Sequence, residues 1–391
     1  MKNNNDLNKI YVSASYDENN NPWTIDTLTG ILGRINKDTK SYIYASSICI
    51  SESQYSDYHD VLEHNNRLFL LPKKFKSRPS ISFLEMPEMS KKEICLADLT
   101  MRDNLKNNAI FTGMIPIGEY IYLIPNAYSS IVRIDTKDLS VTYIDKWKNE
   151  IDERIEKSSS LGYFCARQYV IKGDFLYVPF SIISAVLRIN LITLEEEIIN
   201  INVKSQGFSC ICKWDDCFLL SGAGYNKDWL YLWNENSGNI EKEWKLQETS
   251  DKYPVLKMLV SERGDAFIFP WQNWSHLDID IYRLDHRDLK LKKLNLLSNH
   301  GDFREKKYLY GDEIINAHWI DNNRFLFVTG KDYKWHEYNI DTCEHIEYDV
   351  LFDEMNVNAD NILREYCRTM ASYSKPMNED FGLKSFIKSI I

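Results

Sequence analysis

One pattern recurs along the chain at intervals of about 43 to 59 residues, and it restricts the fold more than any other feature. An apolar and aromatic run ends in proline or glycine, a short loop follows, and a second apolar run ends in Asp or Asn. Residues 120–135 (YIYLIPNAYSSIVRID) and 175–190 (FLYVPFSIISAVLRIN) are clear copies. The copies begin near Ile10, Leu68, Ile121, Leu176, Leu219, Phe267 and Leu326.

The residue pattern within each copy indicates strands. Apolar and polar residues alternate with a period of two, and Tyr, Ile, Val, Phe and Trp are frequent. Each unit divides into four strands, A to D in chain order, which in the third copy are residues 109–118, 119–125, 129–135 and 140–147. Circular stacking of such sheets covers both faces of each sheet and leaves few open edges. We therefore predict an all-β fold, a seven-bladed β-propeller over residues 1–352, with six blades if residues 1–50 complete a neighbouring sheet or lie outside the ring.

Two recurring residue types have structural explanations. Asp and Asn suit the first position of a tight turn because their side chains accept hydrogen bonds from backbone amides two residues on. Proline lacks an N–H and suits the place where strand B stops pairing. We predict turn residues, with no catalytic role, at the ends of strand C: Asn36, Asp135, Asn190, Asn234, Asp285 and Asp341.

The hairpin from strand C to strand D, with its final Asp and following Thr, resembles that of kelch repeats, whose length per blade is similar. The double glycine of kelch repeats after strand B is missing, and Pro125, Pro179 or Pro270 stands in its place. The Gly-His and Trp-Asp signatures of WD40 blades and the Trp-bearing docking motif of quinone-dependent propellers are also missing. The resemblance covers residues 8–352 as architecture and implies no particular function.

The pattern changes after residue 352. Residues 358–370 and 381–391 have apolar side chains at helical spacing, separated by a polar joint with Pro376. We predict that residues 353–391 form a helical extension that packs on the propeller. The alternative is a docking helix for a protein partner.

Charge and cysteine content restrict partners and location. The net charge of −10, with interspersed basic residues, argues against binding to nucleic acid or to an acidic membrane surface. No apolar stretch approaches the length needed to cross a bilayer, and we predict a cytoplasmic protein. The abundance of Ile, Lys and Asn points to an AT-rich, bacterial coding sequence. Cys210, Cys212 and Cys217 are predicted to be reduced core residues because no second ligand pair for zinc lies nearby, and we predict no metal and no cofactor.

The loops from strand B to strand C carry many aromatic and cationic residues, whereas loops that only turn the chain are small and polar. Such a surface suits stacking on a ring while neutralising an anion. We predict a small-molecule, glycan, nucleotide-sugar or anionic-peptide ligand. The predicted ligand-binding residues are Lys74, Tyr128, Tyr225, Trp229, Trp271, Trp274, His276, Tyr333 and Trp335, with Lys257 on an inner strand. Packing of these rings between blades is the alternative.

An enzyme is the second hypothesis: a lyase, hydrolase or cyclising enzyme acting on a glycan or a modified peptide. His59, Arg167 and His318 lie near the predicted start of strand A in their blades, so they would line the mouth of the channel. The chain has no nucleophile elbow, phosphate loop, HExxH or EF-hand motif. Propellers host both binding and catalysis, so the fold does not decide between these hypotheses.

Overall fold

The structure of the protein is a computed structural model. It describes residues 10–17, 21–26, 31–36, 38–39, 41–48, 58–72, 75, 78–99, 109–155, 161–164, 168–246, 255–270, 281–296, 314–329, 335–348 and 351–352. For some strand residues, His59 among them, only the backbone is described. The predicted extension, residues 353–391, lies outside the described residues.

The described strands form seven sheets, each built on four antiparallel strands, which confirms the seven-bladed β-propeller. Every blade consists of four consecutive strands, A to D, so residues 10–47 form a blade of their own and the six-bladed alternative is wrong. The inner strands of the last and first blades contact each other, which closes the ring.

The strand bounds follow the predicted division closely. The first blade contains β1 (Ile10–Tyr16), β2 (Pro22–Asp26), β3 (Ile31–Asn36) and β4 (Ser41–Ser47). The second contains β5 (Tyr58–His64), β6 (Arg67–Pro72), β7 (Ser80–Glu85) and β8 (Ser90–Cys95). The third contains β9 (Phe111–Ile117), β10 (Tyr120–Pro125), β11 (Ile131–Asp135) and β12 (Val141–Ile144). The fourth contains β13 (Val170–Lys172), β14 (Phe175–Pro179), β15 (Ala185–Asn190) and β16 (Glu196–Asn200).

The remaining three blades repeat the same order. The fifth contains β17 (Gly207–Trp214), β18 (Cys217–Ala223), β19 (Trp229–Trp233) and β20 (Ile240–Lys245). The sixth contains β21 (Val255–Val260), β22 (Ala266–Pro270), β23 (Tyr282–Leu284) and β24 (Leu291–Lys293). The seventh contains β25 (Ile314–Trp319), β26 (Arg324–Thr329), β27 (Trp335–Asn339) and β28 (His345–Tyr348).

Burial explains why the copies of the repeat share the same pattern of apolar residues. Strand B is covered by a neighbouring blade on both faces, and all residues of β10 and β14 after the first are buried. A strand covered on both sides reads as a continuous apolar run. Strand D is outermost, and five of the six residues of β8 are exposed. The proline that ends the apolar run is the last residue of strand B in β6, β10, β14 and β22.

Three local features differ from the sequence prediction. The copy of the repeat that begins near Ile10 starts at strand A of the first blade, whereas the other six copies start at strand B. Residue Trp147, predicted within strand D, begins the helix α1 (Trp147–Arg154). Its ring is buried against Phe164 and Phe180, and its backbone N–H donates to a Glu196 oxygen at 2.8 Å. Finally, β29 (Leu351–Phe352) pairs in parallel with β4 and covers the outer edge of the first blade.

The turn residues act as the sequence predicts, with one correction. The Asn190 side-chain oxygen accepts the backbone N–H groups of Ile192 and Thr193 at 2.9 and 3.0 Å. Asn36, Asp135, Asn234 and Asp285 make equivalent bonds. In the seventh blade the prediction of Asp341 is wrong, because Asn339 accepts the two backbone bonds, at 2.9 and 3.1 Å.

The seventh-blade turn allows a direct test of this correction. We expect Asn339→Ala to lower the free energy of unfolding by about 1 kcal/mol, because two turn amides lose their acceptor. Asp341→Ala is the matched control, because the Asp341 side chain forms an exposed ion pair with Arg263, which is worth about 0–1 kcal/mol. Urea denaturation of both variants measures the difference. A larger loss for Asp341→Ala would contradict the assignment.

Candidate functional site

Strand topology defines the two ends of the central channel. Because the four strands of a blade alternate in direction, strand A begins at the end of the ring where the B–C loops and the D–A connections lie. We call this end the B–C face. Inner strands of five blades carry a β-bulge close to this face, within two residue pairs of the end of strand B. Bulges often re-aim side chains next to functional sites.

Four side chains of the inner strands form what we call the channel cluster: Asp60, Cys210, Lys257 and His318. Asp60, Cys210 and Lys257 each follow the bulge of their strand and therefore lie at the same level of the ring. Asp60 belongs to the second blade and Lys257 to the sixth. Their electrostatic interaction therefore reaches across the central channel.

Lys257 is the cation of the channel cluster. Its surface is still partly accessible, but burial lowers the pKa of Lys257 to about 8, and the nearby Cys210 and Asp60 oppose this shift without reversing it. Desolvation of the ammonium group therefore outweighs the attraction from Asp60. Near pH 7 Lys257 is largely charged and its charge is incompletely compensated.

His318 lies deeper in the ring than the sequence predicts. It is the fifth of six residues of β25 rather than near the strand start, and its side chain is only 7% exposed. Burial, assisted by the Lys257 charge, lowers the pKa of His318 to about 3. An imidazole with this pKa is a very weak base at neutral pH.

A glutamine side chain links two blades that are not neighbours in the ring. The Gln168 side-chain oxygen accepts the backbone N–H of Met258 at 2.8 Å, and its amide nitrogen donates to the Met258 carbonyl oxygen at 2.5 Å. Gln168 lies in the fourth blade and Met258 in the sixth, so the bond passes the fifth blade. This pair of bonds satisfies backbone groups on the inner edge of β21, next to Lys257.

An exposed aromatic site lies on the B–C face of the fifth blade. Tyr225 is 78% exposed at a loop tip between Gly224 and Asn226, which both have positive φ. Trp229 is half-buried, and the Lys204 Nζ lies 4.5 Å from its ring centroid. An aromatic ring paired with a cation is suited to stacking on a planar or sugar ring.

Other predicted ligand-binding residues are placed differently. Tyr128 is fully buried between Phe75 and Phe111, and its hydroxyl donates to the Ala97 carbonyl oxygen at 2.7 Å. Trp335 is 4% exposed and lies against Tyr348. Both rings therefore contribute to packing. Lys74, Arg167, Trp271, Trp274, His276 and Tyr333, and the side chain of His59, lie outside the described residues.

The cysteine prediction is confirmed for Cys210 and Cys212. Both are buried in the apolar cluster between the fifth and sixth blades, while Cys217 is partly exposed. Burial raises the pKa of Cys212 to about 12, so its thiol stays protonated.

Sequence reasoning predicted Lys257 and His318 but missed Asp60 and Gln168. A signal for Asp60 is present, because Asp60 pairs with the residue before Pro72 just as Lys257 pairs with the residue before Pro270. When the blade sequences are aligned on the proline that ends strand B, Asp60 and Lys257 occupy the same position along the inner strand. Gln168 offers no such signal, since its partner is a backbone group two blades away.

Comparison with known proteins identifies the fold. No family model and no curated protein matches the chain. Virginiamycin B lyase from Staphylococcus aureus is similar with a TM-score of 0.57 and 13% identity over 84% of this chain and 94% of that chain. A chain of the mitotic checkpoint complex is similar with a TM-score of 0.56 and 9% identity over 85% of this chain and 90% of that chain. Hsv2 of Kluyveromyces lactis, with loop 6CD replaced by a Gly-Ser linker, is similar with a TM-score of 0.50 and 8% identity over 87% of this chain and 97% of that chain.

These neighbours are propeller proteins of varied roles, and the chain is a β-propeller repeat protein. Identities this low show the fold alone, and the resemblance to kelch repeats is not confirmed. Among the residues that the structure describes, no helix has the length and apolar character needed to span a membrane.

Proposed function

We propose that the protein binds a small anionic ligand at the B–C face, with Lys257 in the channel as its charged contact. The observation that supports this most strongly is the position of Lys257, which lies on an inner strand at the level of Asp60, where burial lowers the pKa of its ammonium group. A cation in this position is poorly solvated, so an anion that enters the channel gains more from it than from a surface lysine. Tyr225 and Trp229 at the rim add stacking contacts.

The ligand classes that fit are acidic glycans, nucleotide sugars and anionic peptides. Each combines a carboxylate or phosphate with a planar or ring-shaped group, which matches one buried cation and a rim of aromatic rings. Lys74, Trp271, Trp274, His276 and Tyr333 belong to the same proposed surface by their position in B–C loops.

The pH dependence of binding tests the role of Lys257. We expect affinity for an anionic ligand to be constant between pH 6 and about 7 and to fall several-fold by pH 9, because Lys257 loses its proton around pH 8. A surface lysine would keep its charge up to about pH 10. Calorimetric titration with glucuronic acid, UDP-glucose and a short acidic peptide measures this.

Substitutions separate the two parts of the proposed surface. Lys257→Met is expected to weaken binding by about tenfold or more, and Trp229→Ala by a similar or smaller factor. Tyr143→Phe, far from the channel in β12, is the control and should bind as the wild type does. Unchanged binding by Lys257→Met, or no binding of any of the three ligand classes, would contradict the proposal.

A second candidate function is catalysis. A lysine with a pKa of about 8 is suited to proton transfer near neutral pH, whereas His318 is too weak a base. Lys257→Arg distinguishes the two functions, because arginine keeps the charge but does not release its proton. Product formation in the wild type that is lost in Lys257→Arg, with binding retained, would favour an enzyme, in which His59 and Arg167 stay proposed contributors.

We further propose a cytoplasmic location and a protein contact through the C-terminal extension. The free exposed cysteines Cys95 and Cys343 favour a reducing compartment. Residues 353–391 have the apolar helical pattern of a segment that packs on the ring or on a partner. Pull-down with a chain that lacks residues 378–391 tests the second point, since an unchanged set of partners would exclude it.

A further inference from the structure

Two histidines and a glutamate lie together on the outer strands of the seventh blade. His336 is on β27, and His345 and Glu347 are on β28. Glu347 pairs directly with His336 across the two strands, and residues 345 and 347 project from the same face because strand side chains alternate. One imidazole nitrogen from each histidine and a Glu347 oxygen lie within 4.8 Å of one another.

The two imidazoles face each other edge to edge. The Nδ1 of His336 lies 3.1 Å from the Nε2 of His345, the ring centroids are 5.3 Å apart, and the ring planes differ by 16°. These values fit an N–H···N hydrogen bond in nearly one plane, in which one nitrogen donates and the other accepts. The lone pair of the accepting nitrogen therefore points at the N–H proton of the other ring. That proton occupies the position that a metal cation would take.

The protein holds this pair from one side and leaves the other open. His336 is fully buried, and Phe327 stacks on its ring with centroids 4.6 Å apart and planes within 8°. His345 is partly exposed and the Glu347 side chain is 28% exposed, so a small ion can reach both groups from solvent. The Glu347 oxygen lies 3.8 Å from the His336 Nδ1. One buried imidazole, one partly exposed imidazole and one carboxylate thus meet at a place that solvent reaches.

We propose that His336, His345 and Glu347 bind a divalent transition metal, with Zn²⁺ as the preferred ion and water in the remaining position. Two imidazoles and one carboxylate form a ligand set that leaves zinc one open coordination site. Ligand atoms of a tetrahedral zinc site are about 3.4 Å apart, given zinc–ligand distances of about 2.1 Å. The observed separations of 3.1 and 3.8 Å bracket this value, so small rotations of His345 and Glu347 complete the site.

Metal binding in this place changes the tautomer of one imidazole. Zinc requires a lone pair on the facing nitrogen of each ring, so the N–H proton between His336 and His345 moves to the other nitrogen of its own ring when the ion binds. Both rings stay neutral, so we expect little net proton release at about pH 7.5, and weaker binding in acid, where protons compete with zinc for the imidazole lone pairs. The site lies on the outer strands, away from Lys257, so it is independent of the proposed channel ligand.

Zinc alone is the probe. The experiment uses the full-length chain with Cys95→Ser and Cys343→Ser, because exposed thiols also bind zinc. Competition with a chromogenic chelator measures affinity, and thermal unfolding with and without zinc measures the coupling to stability. We expect one high-affinity equivalent, and at least a tenfold loss of affinity in His345→Gln and in Glu347→Gln.

Three comparisons make the result decisive. Glu344→Gln, which removes an exposed carboxylate from the adjoining turn, should bind zinc as the parent does. Cobalt bound in place of zinc should give visible absorption that disappears in His345→Gln, which tests direct ligation. Zinc binding with equal affinity in the parent, His345→Gln and Glu347→Gln, or no zinc binding by a parent chain that unfolds cooperatively, would overturn the proposal.

Discussion

Acidification from pH 6.5 to 4.5 is expected to lower the free energy of unfolding of the wild-type protein by about 2–3 kcal/mol more than that of His318→Gln. Burial lowers the pKa of His318 to about 3 in the folded protein, whereas the unfolded chain has the ordinary value of about 6.5. Between these values the unfolded state takes up a proton that the folded state does not. Stability therefore decreases by up to about 1.4 kcal/mol for each pH unit below 6.5.

The measurement is the slope of unfolding free energy against pH, from urea denaturation at several pH values. Slopes are compared rather than absolute stabilities, because the substitution itself changes a buried contact. Lys257→Met is the control: it removes the lysine charge but leaves His318 buried, so most of the wild-type slope should remain. Equal slopes for wild type and His318→Gln would show that His318 accepts a proton freely in the folded ring.

Replacing Gly207 by alanine is expected to cost at least about 2–3 kcal/mol of unfolding free energy. Gly207 begins β17, and a methyl group there would lie 2.3 Å from the Ser181 carbonyl oxygen and 2.4 Å from its carbon. Both are backbone atoms of the fourth blade. That backbone is held in place, because the Phe208 N–H donates to the Phe180 carbonyl oxygen at 2.7 Å. The clash is relieved only by moving two blades apart.

Gly118→Ala is the matched control for this prediction. Gly118 has a φ of +58°, but nothing lies within 4 Å of the position of an added methyl group. Its substitution should therefore cost only the backbone penalty of about 1–2 kcal/mol. Chemical denaturation of both variants measures the difference, and a cost for Gly207→Ala no larger than that for Gly118→Ala would refute the close approach of the blades.

Local sequence predicted the blades well because each blade is a contiguous stretch of chain. Strands A to D pair with their neighbours in sequence, so short-range alternation, turn residues and the strand-B proline carry enough information to divide the chain. Two local predictions were wrong because another residue or a tertiary contact decided the local structure. Asn339 instead of Asp341 ends β27, and Trp147 starts a helix because its ring is buried between neighbouring elements.

The candidate sites were less predictable because their residues come from different blades. The sequence placed Lys257 on an inner strand, but nothing local shows that it interacts electrostatically with Asp60 on the opposite side of the ring or that Gln168 reaches Met258. Aromatic loop residues were equally ambiguous: Tyr225 is exposed and Tyr128 is buried, although both lie in B–C loops. Exposure depends on the neighbouring blade, which the loop sequence does not contain.

By itself the sequence determined that this protein is a ring of four-stranded sheets, because repeat length, strand period and turn chemistry are local properties that act within one blade. Only the tertiary structure decided which side chains share the channel, how strongly burial shifts the pKa values of Lys257 and His318, and that His336 meets His345. These properties arise from distances between residues far apart in the chain and from the water that closure of the ring excludes.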